Sequence, residues 1–166
     1  MLKKIIITLL IISPVALFTF ELTYPRPKIA PQQALVGAWE TEAEIRVTEA
    51  EGGVTSYWGD LQVNFSLYED GTVEGTVGDA AMQNAYFKRN RGWFGKLLGM
   101  GTDYIIVGGL SGSITSEIQC ARFYIVGDFD EKGIRGDIDC KECWKGDRKQ
   151  RSFGDGPLIY TRVEQP

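Results

Sequence analysis

Cys140-Lys-Glu-Cys143 has the spacing of a redox dithiol, and Asp128-Phe-Asp-Glu-Lys-Gly133 with Asp139 beyond it has the outline of a calcium loop. Glu40, Glu42 and Glu44 stand two residues apart, as paired carboxylates on one strand face would. Each pattern meets a physical objection. Lys132 occupies a loop position that needs an oxygen ligand. A solvated outer strand face accounts for the row of glutamates without a catalytic role. Gly109-Leu-Ser-Gly-Ser113 ends in Ser where a nucleophile elbow needs Gly, and Gly95-Lys96 lacks both the earlier Gly and the following hydroxyl of a phosphate loop. The chain contains no histidine at all, which removes Ser-His and Cys-His nucleophile activation and most catalytic zinc sites. Three cysteines alone fall short of a tetrahedral zinc set. The expectation is a protein without catalytic residues, metal or cofactor.

A second group of residues has the chemistry of binding. Between Lys88 and Gly101 four cations, Lys88, Arg89, Arg91 and Lys96, surround Trp93 and Phe94. Phe94, Leu97 and Leu98 are spaced for one helical turn with an apolar side, and four glycines punctuate the stretch. Such a loop could plug the end of a barrel, gate a cavity inside it, or press a basic aromatic patch onto anionic headgroups or a protein. Lys145, Arg148, Lys149 and Arg151 around Trp144 are candidates to join that patch.

These residues must be positioned by strands. Leu35, Gly37, Trp39, Thr41, Ala43, Ile45 and Val47 alternate with a charged set, and the same period of two returns from Tyr57 to Tyr68. Glu69-Asp-Gly71 is a hairpin turn leading into Val73, Gly75 and Val77. Further strands are expected near 81–88, 102–110, 119–129, 134–143 and 157–163, about eight in all. An antiparallel up-and-down meander of that size closes into a barrel, which removes its exposed edges. A turn at Glu131-Lys132 pairs Asp130 with Gly133 and sets Cys120 opposite Cys143; a structural bridge from Cys120 to Cys143, or to Cys140, is expected in preference to a redox C-x-x-C.

The 166 residues carry 43% hydrophobic and 24% charged side chains, enough for one soluble domain. A net charge of -4 with a pI near 5.0 argues against nucleic acid as a partner. Residues 1–20 place Lys3 and Lys4 before an apolar run, the pattern of a signal peptide or an N-terminal membrane anchor, with a hydrophobic helix in either case. Both readings put the remainder of the chain outside the cytoplasm, periplasmic or secreted. Residues 21–34 carry Pro25, Pro27 and Pro31 and read as a linker, which leaves 35–166 for the barrel.

Gly37-Ala-Trp39 resembles the G-x-W that opens lipocalins and is similar to the first strand of avidin-type barrels; Thr102-Asp-Tyr104 resembles the lipocalin T-D-Y. The resemblance implies a calycin-like barrel, with Trp39 across its closed end beneath a basic side chain from late in the chain, a role for Arg162. The chain departs from the pattern in order, since four expected strands precede T-D-Y where the family has about six. The first functional expectation is therefore a non-catalytic barrel binding a small apolar or amphiphilic molecule among Trp39, Phe65, Phe87, Trp93, Phe94, Leu97 and Tyr104. The competing one is an envelope module with a filled core, touching lipid or protein through Lys88, Arg89, Arg91 and Lys96.

Overall fold

The computed structural model describes residues 27–49, 55–90 and 103–163. After a short 3-10 turn at Gln33–Leu35 come eight strands: β1 (Gly37–Glu49), β2 (Thr55–Leu67), β3 (Thr72–Val77), β4 (Ala80–Arg89), β5 (Tyr104–Ser111), β6 (Ile118–Asp130), β7 (Gly133–Lys145) and β8 (Arg148–Val163). Each pairs antiparallel with the next, and β8 returns to β1 through Trp39 opposite Arg162 and Val47 opposite Phe153, closing the barrel. Closure gives every strand two partners, which alternating sequences of this kind otherwise lack at an edge. The N-terminal hydrophobic helix expected over 1–20 lies outside the described residues.

Period-two alternation decides what points inward. Along β2 the buried residues are Leu61, Val63, Phe65 and Leu67, and along β1 Glu40, Glu42 and Glu44 face out while Trp39, Thr41 and Ala43 face in. A barrel of eight strands is only wide enough to be filled by its own side chains or to hold one small ligand. Here Phe87 stacks on Tyr104 with centroids 5.1 Å apart and meets Phe129 edge-on at 5.3 Å, while Phe65 meets Tyr160 at 5.6 Å.

Among the described residues the alternation breaks in β4 and again in the paired strands β6 and β7. Met82 and Ala85 both face in, three residues apart, because Asn84 takes a left-handed conformation at φ 49°. Cys140 and Cys143 do the same through Glu142 at φ 54°, matched across the ladder by Cys120 and Phe123. The matching keeps the hairpin in register, so Asp130 opposes Gly133 and Cys120 opposes Cys143 throughout. Cys120 and Cys143 form the disulfide; Cys140 remains a buried thiol. The C-x-x-C is therefore not a dithiol pair, since its second sulfur is bonded across the hairpin.

Two expectations are corrected. β8 begins at Arg148 rather than near 157, because Gly154-Asp-Gly156-Pro157 is absorbed as an irregularity in the ladder with β7 instead of ending it. Proline lacks a donor and sits in sheets at such bulges. Leu35, placed by alternation in the first strand, instead ends the 3-10 turn and is buried beneath the barrel.

Candidate binding surfaces

Among the described residues, Leu35 and Trp39 seal one end of the barrel, beside the turns at 68–71 and 131–132. The Trp39 indole N–H donates to the Leu35 carbonyl at 2.9 Å. Above the ring, the Arg162 guanidinium carbon stands 6.0 Å from its centroid and its Nη2 donates to the Val36 carbonyl at 2.7 Å. Of the T-D-Y stretch, Asp103 and Tyr104 lie at this same end, where β5 begins, and the Asn90 amide donates to the Asp103 carbonyl at 2.9 Å; Thr102 lies outside the described residues. At the far end Ile114, on the β5–β6 connection, folds over the β3–β4 turn and joins the core, its carbonyl accepting from Asp79.

Part of the proline-rich linker is docked at the sealed end. The Ile29 amide donates to the Phe87 carbonyl at 3.0 Å, its side chain packs against the core, and Lys28 bridges to Lys88 as an isolated strand pair. Lys28 Nζ donates to Asp70 Oδ2 at 2.6 Å and to the Thr72 hydroxyl at 3.0 Å, and Asp70 Oδ1 accepts the Thr72 amide at 2.8 Å. The Lys28 ammonium, then the Thr72 hydroxyl and amide, hold the Asp70 carboxyl well below the usual carboxylate range. A carboxyl depressed in the folded state stabilises it above the unfolded pKa and loses that contribution as pH falls through the folded value. Protection of the Ile29 amide should thus be level from pH 8 down to about pH 4 and fall only below it, whereas Asp70→Asn should raise its exchange rate throughout. Hydrogen exchange read at Ile29 checks both.

The structure divides the residues singled out from sequence. Trp39, Phe65 and Phe87, at 4%, 3% and 1% exposure, lie in the packed interior, and Tyr104 is partly buried on its border. Lys88 faces out with its ammonium 5.7 Å from the Tyr86 ring centroid, and Arg89 is exposed at the end of β4. Trp93, Phe94, Leu97, Arg91 and Lys96 lie outside the described residues. Lys145 does not join Lys88: β7 carries it to the opposite end of the barrel, where it pairs with Glu117 at 2.9 Å. Among the suspected chemical motifs, Asp130 serves its own hairpin, its Oδ1 accepting the Lys132 amide at 2.8 Å.

A surface that sequence patterning does not reveal lies on the outer wall. Asn84, Tyr86, Lys88, Val107, Gly108, Gly109, Ala121, Arg122 and Tyr124 line a groove of about 370 Å³ across β4, β5 and β6. A second groove of about 360 Å³, with Pro27 and Lys28 of the linker on its rim, adjoins it at Asn84 and Tyr86. The signal is present as tyrosines at outward positions of two strands, but only the register makes Tyr86, Val107 and Tyr124 one row. No family model matches this chain, and no curated protein or solved structure matches it either.

Proposed function

We propose that this chain is an extracytoplasmic, lipocalin-like and non-catalytic barrel whose interior serves packing and whose outer wall serves binding. One observation carries the reading: the aromatic side chains that would have to contact an interior ligand, Trp39, Phe65 and Phe87, are spent on Leu35, Tyr160, Tyr104 and Phe129, with Phe123 fully buried among them. The side chains suited to recognition stand outside, as Tyr86, Lys88, Arg122 and Tyr124 around the groove. The Cys120–Cys143 bridge fits an oxidising compartment, in keeping with the basic-then-apolar N-terminal run. No helix of the described residues is long and apolar enough to cross a membrane. The linker enters at the sealed end, beside Lys88 and Arg89, so a tether to a bilayer presents that end first.

Native mass spectrometry of the protein purified without detergent tests the division of labour. The expected mass is the polypeptide less the two hydrogens of the bridge. An apolar small molecule retained through gentle desolvation and released on unfolding would return the binding site to the interior.

A further inference from the structure

The outer groove has been hollowed by backbone means. At Gly108 a Cβ would stand 2.6 Å from the Ala85 Cβ and 2.8 Å from the Phe123 ring, so only glycine lets β5 sink this far toward the core. The next residue, Gly109, points outward, and a Cβ there would meet the Gln83 and Ala121 carbonyl oxygens at ordinary contact distances of 3.5 and 3.6 Å, so its lack of a side chain keeps the floor low. Two successive glycines thus lower the floor of the wall while Tyr86 and Tyr124, opposite Val107 from either side, raise its banks. Two strand spacings put the tyrosine backbones about 10 Å apart. Asn84 sits on the rim by virtue of its left-handed bulge, a conformation asparagine tolerates better than most residues.

The lining chemistry is equally one-sided. Of the nine lining residues two are cationic and none is acidic, in a chain whose net charge is -4. Lys88 is held over the Tyr86 ring at one end. At the other, Arg122, opposite Gly109, is drawn only loosely to Glu142, at 3.7 Å. We infer that this groove binds an acidic oligosaccharide, a short chain of hexuronate sugars. A pyranose ring offers apolar C–H faces to the tyrosines, hydroxyls to the Asn84 amide and tyrosine OH groups, and a carboxylate that a guanidinium can take in two parallel hydrogen bonds. An inorganic phosphate would leave the rings unused, and a purely apolar ligand would strand the guanidinium and the amide. The volume lies within the range of small-ligand clefts. This deepens the outer-wall reading and rests on it.

The test is calorimetric titration of the full chain with digalacturonate, with neutral galactobiose as the comparison. Digalacturonate should bind saturably and galactobiose about tenfold more weakly or worse. Arg122→Gln, at a mostly exposed side chain, and Tyr124→Ala should each weaken the acidic sugar by about tenfold, while Arg135→Gln, which lies outside the groove, should not. Unchanged circular dichroism shows that each variant has folded. Equal affinity for the two sugars, no saturation by digalacturonate, or indifference to Arg122→Gln overturns the inference. So does binding to phosphatidylglycerol vesicles that Arg122→Gln abolishes while digalacturonate has no effect, which would assign the groove to a lipid surface. These failures concern the ligand class alone; a ligand retained inside the barrel would instead remove the reading beneath it.

Discussion

Replacing Trp39 by alanine is expected to lower the unfolding free energy by about 4 kcal/mol, at the upper end of core truncations. The ring is 4% exposed at the sealed end. It is held from three directions. Its N–H is bound by the Leu35 carbonyl, Arg162 covers one face, and a Cβ on Gly133 would stand 3.6 Å from its edge. Truncation therefore opens a cavity and orphans a buried carbonyl, two costs that add because neither can be met by water. Trp39→Phe separates them, since it keeps most of the apolar volume and loses only the donor, for about 1–2 kcal/mol. Arg162→Ala should cost about 1 kcal/mol, the scale of one hydrogen bond to a charged donor at a largely exposed site. Urea denaturation of the three variants checks the order. If Trp39→Ala fell within about 1 kcal/mol of the unaltered protein, the ring would not be what closes this end.

That arrangement is partly legible in the amino-acid sequence, for a physical reason. Alternation over Trp39 to Val47 and from Tyr57 to Tyr68 requires only the two-residue period of a strand, and the Asp130–Gly133 turn fixes a long register because each opposed pair follows from the last. The cysteine bridge comes with that register. Legibility ends where the backbone departs from the ideal. Asn84 and Glu142 adopt left-handed conformations without glycine, so no glycine marks the two places where Met82 with Ala85, and Cys140 with Cys143, turn to the same side. Gly154 to Gly156 mislead in the other direction, since the last strand is expected only from 157 although the ladder with β7 runs on through them. The row of Tyr86, Val107 and Tyr124 needs three strands in register at once, and an error of one residue in any of them sends a tyrosine inside. Lys145 and Lys88 share a sign and an aromatic neighbour, but strand direction puts them at opposite ends.

Reduction of the Cys120–Cys143 bridge should lower stability by about 3 kcal/mol, and the melting temperature by about 10 °C for a domain of this size. The bridge joins residues separated by 23 in sequence and so restrains a loop of that length in the unfolded chain. The hairpin already pairs these residues in the fold, so reduction changes little in the native ladder and acts mainly by enlarging the unfolded ensemble. The double substitution Cys120→Ala and Cys143→Ala should reproduce the effect without reductant. Cys140 does not take over as an alternative partner: burial pushes its thiol well above the ordinary range, with Asp139 adding to it, so the thiolate needed for exchange is scarcely formed. Thiol titration should accordingly find none reactive in the folded protein and one after unfolding without reductant. Two or three reactive thiols under the same conditions would dispose of the bridge. A deficit of this size removes a large share of the roughly 5–15 kcal/mol that typically holds a domain folded, so the barrel reaches its full stability only where the bridge can form. On the extracytoplasmic reading proposed above, the basic-then-apolar N-terminal run delivers the chain to the compartment where its hairpin can be locked.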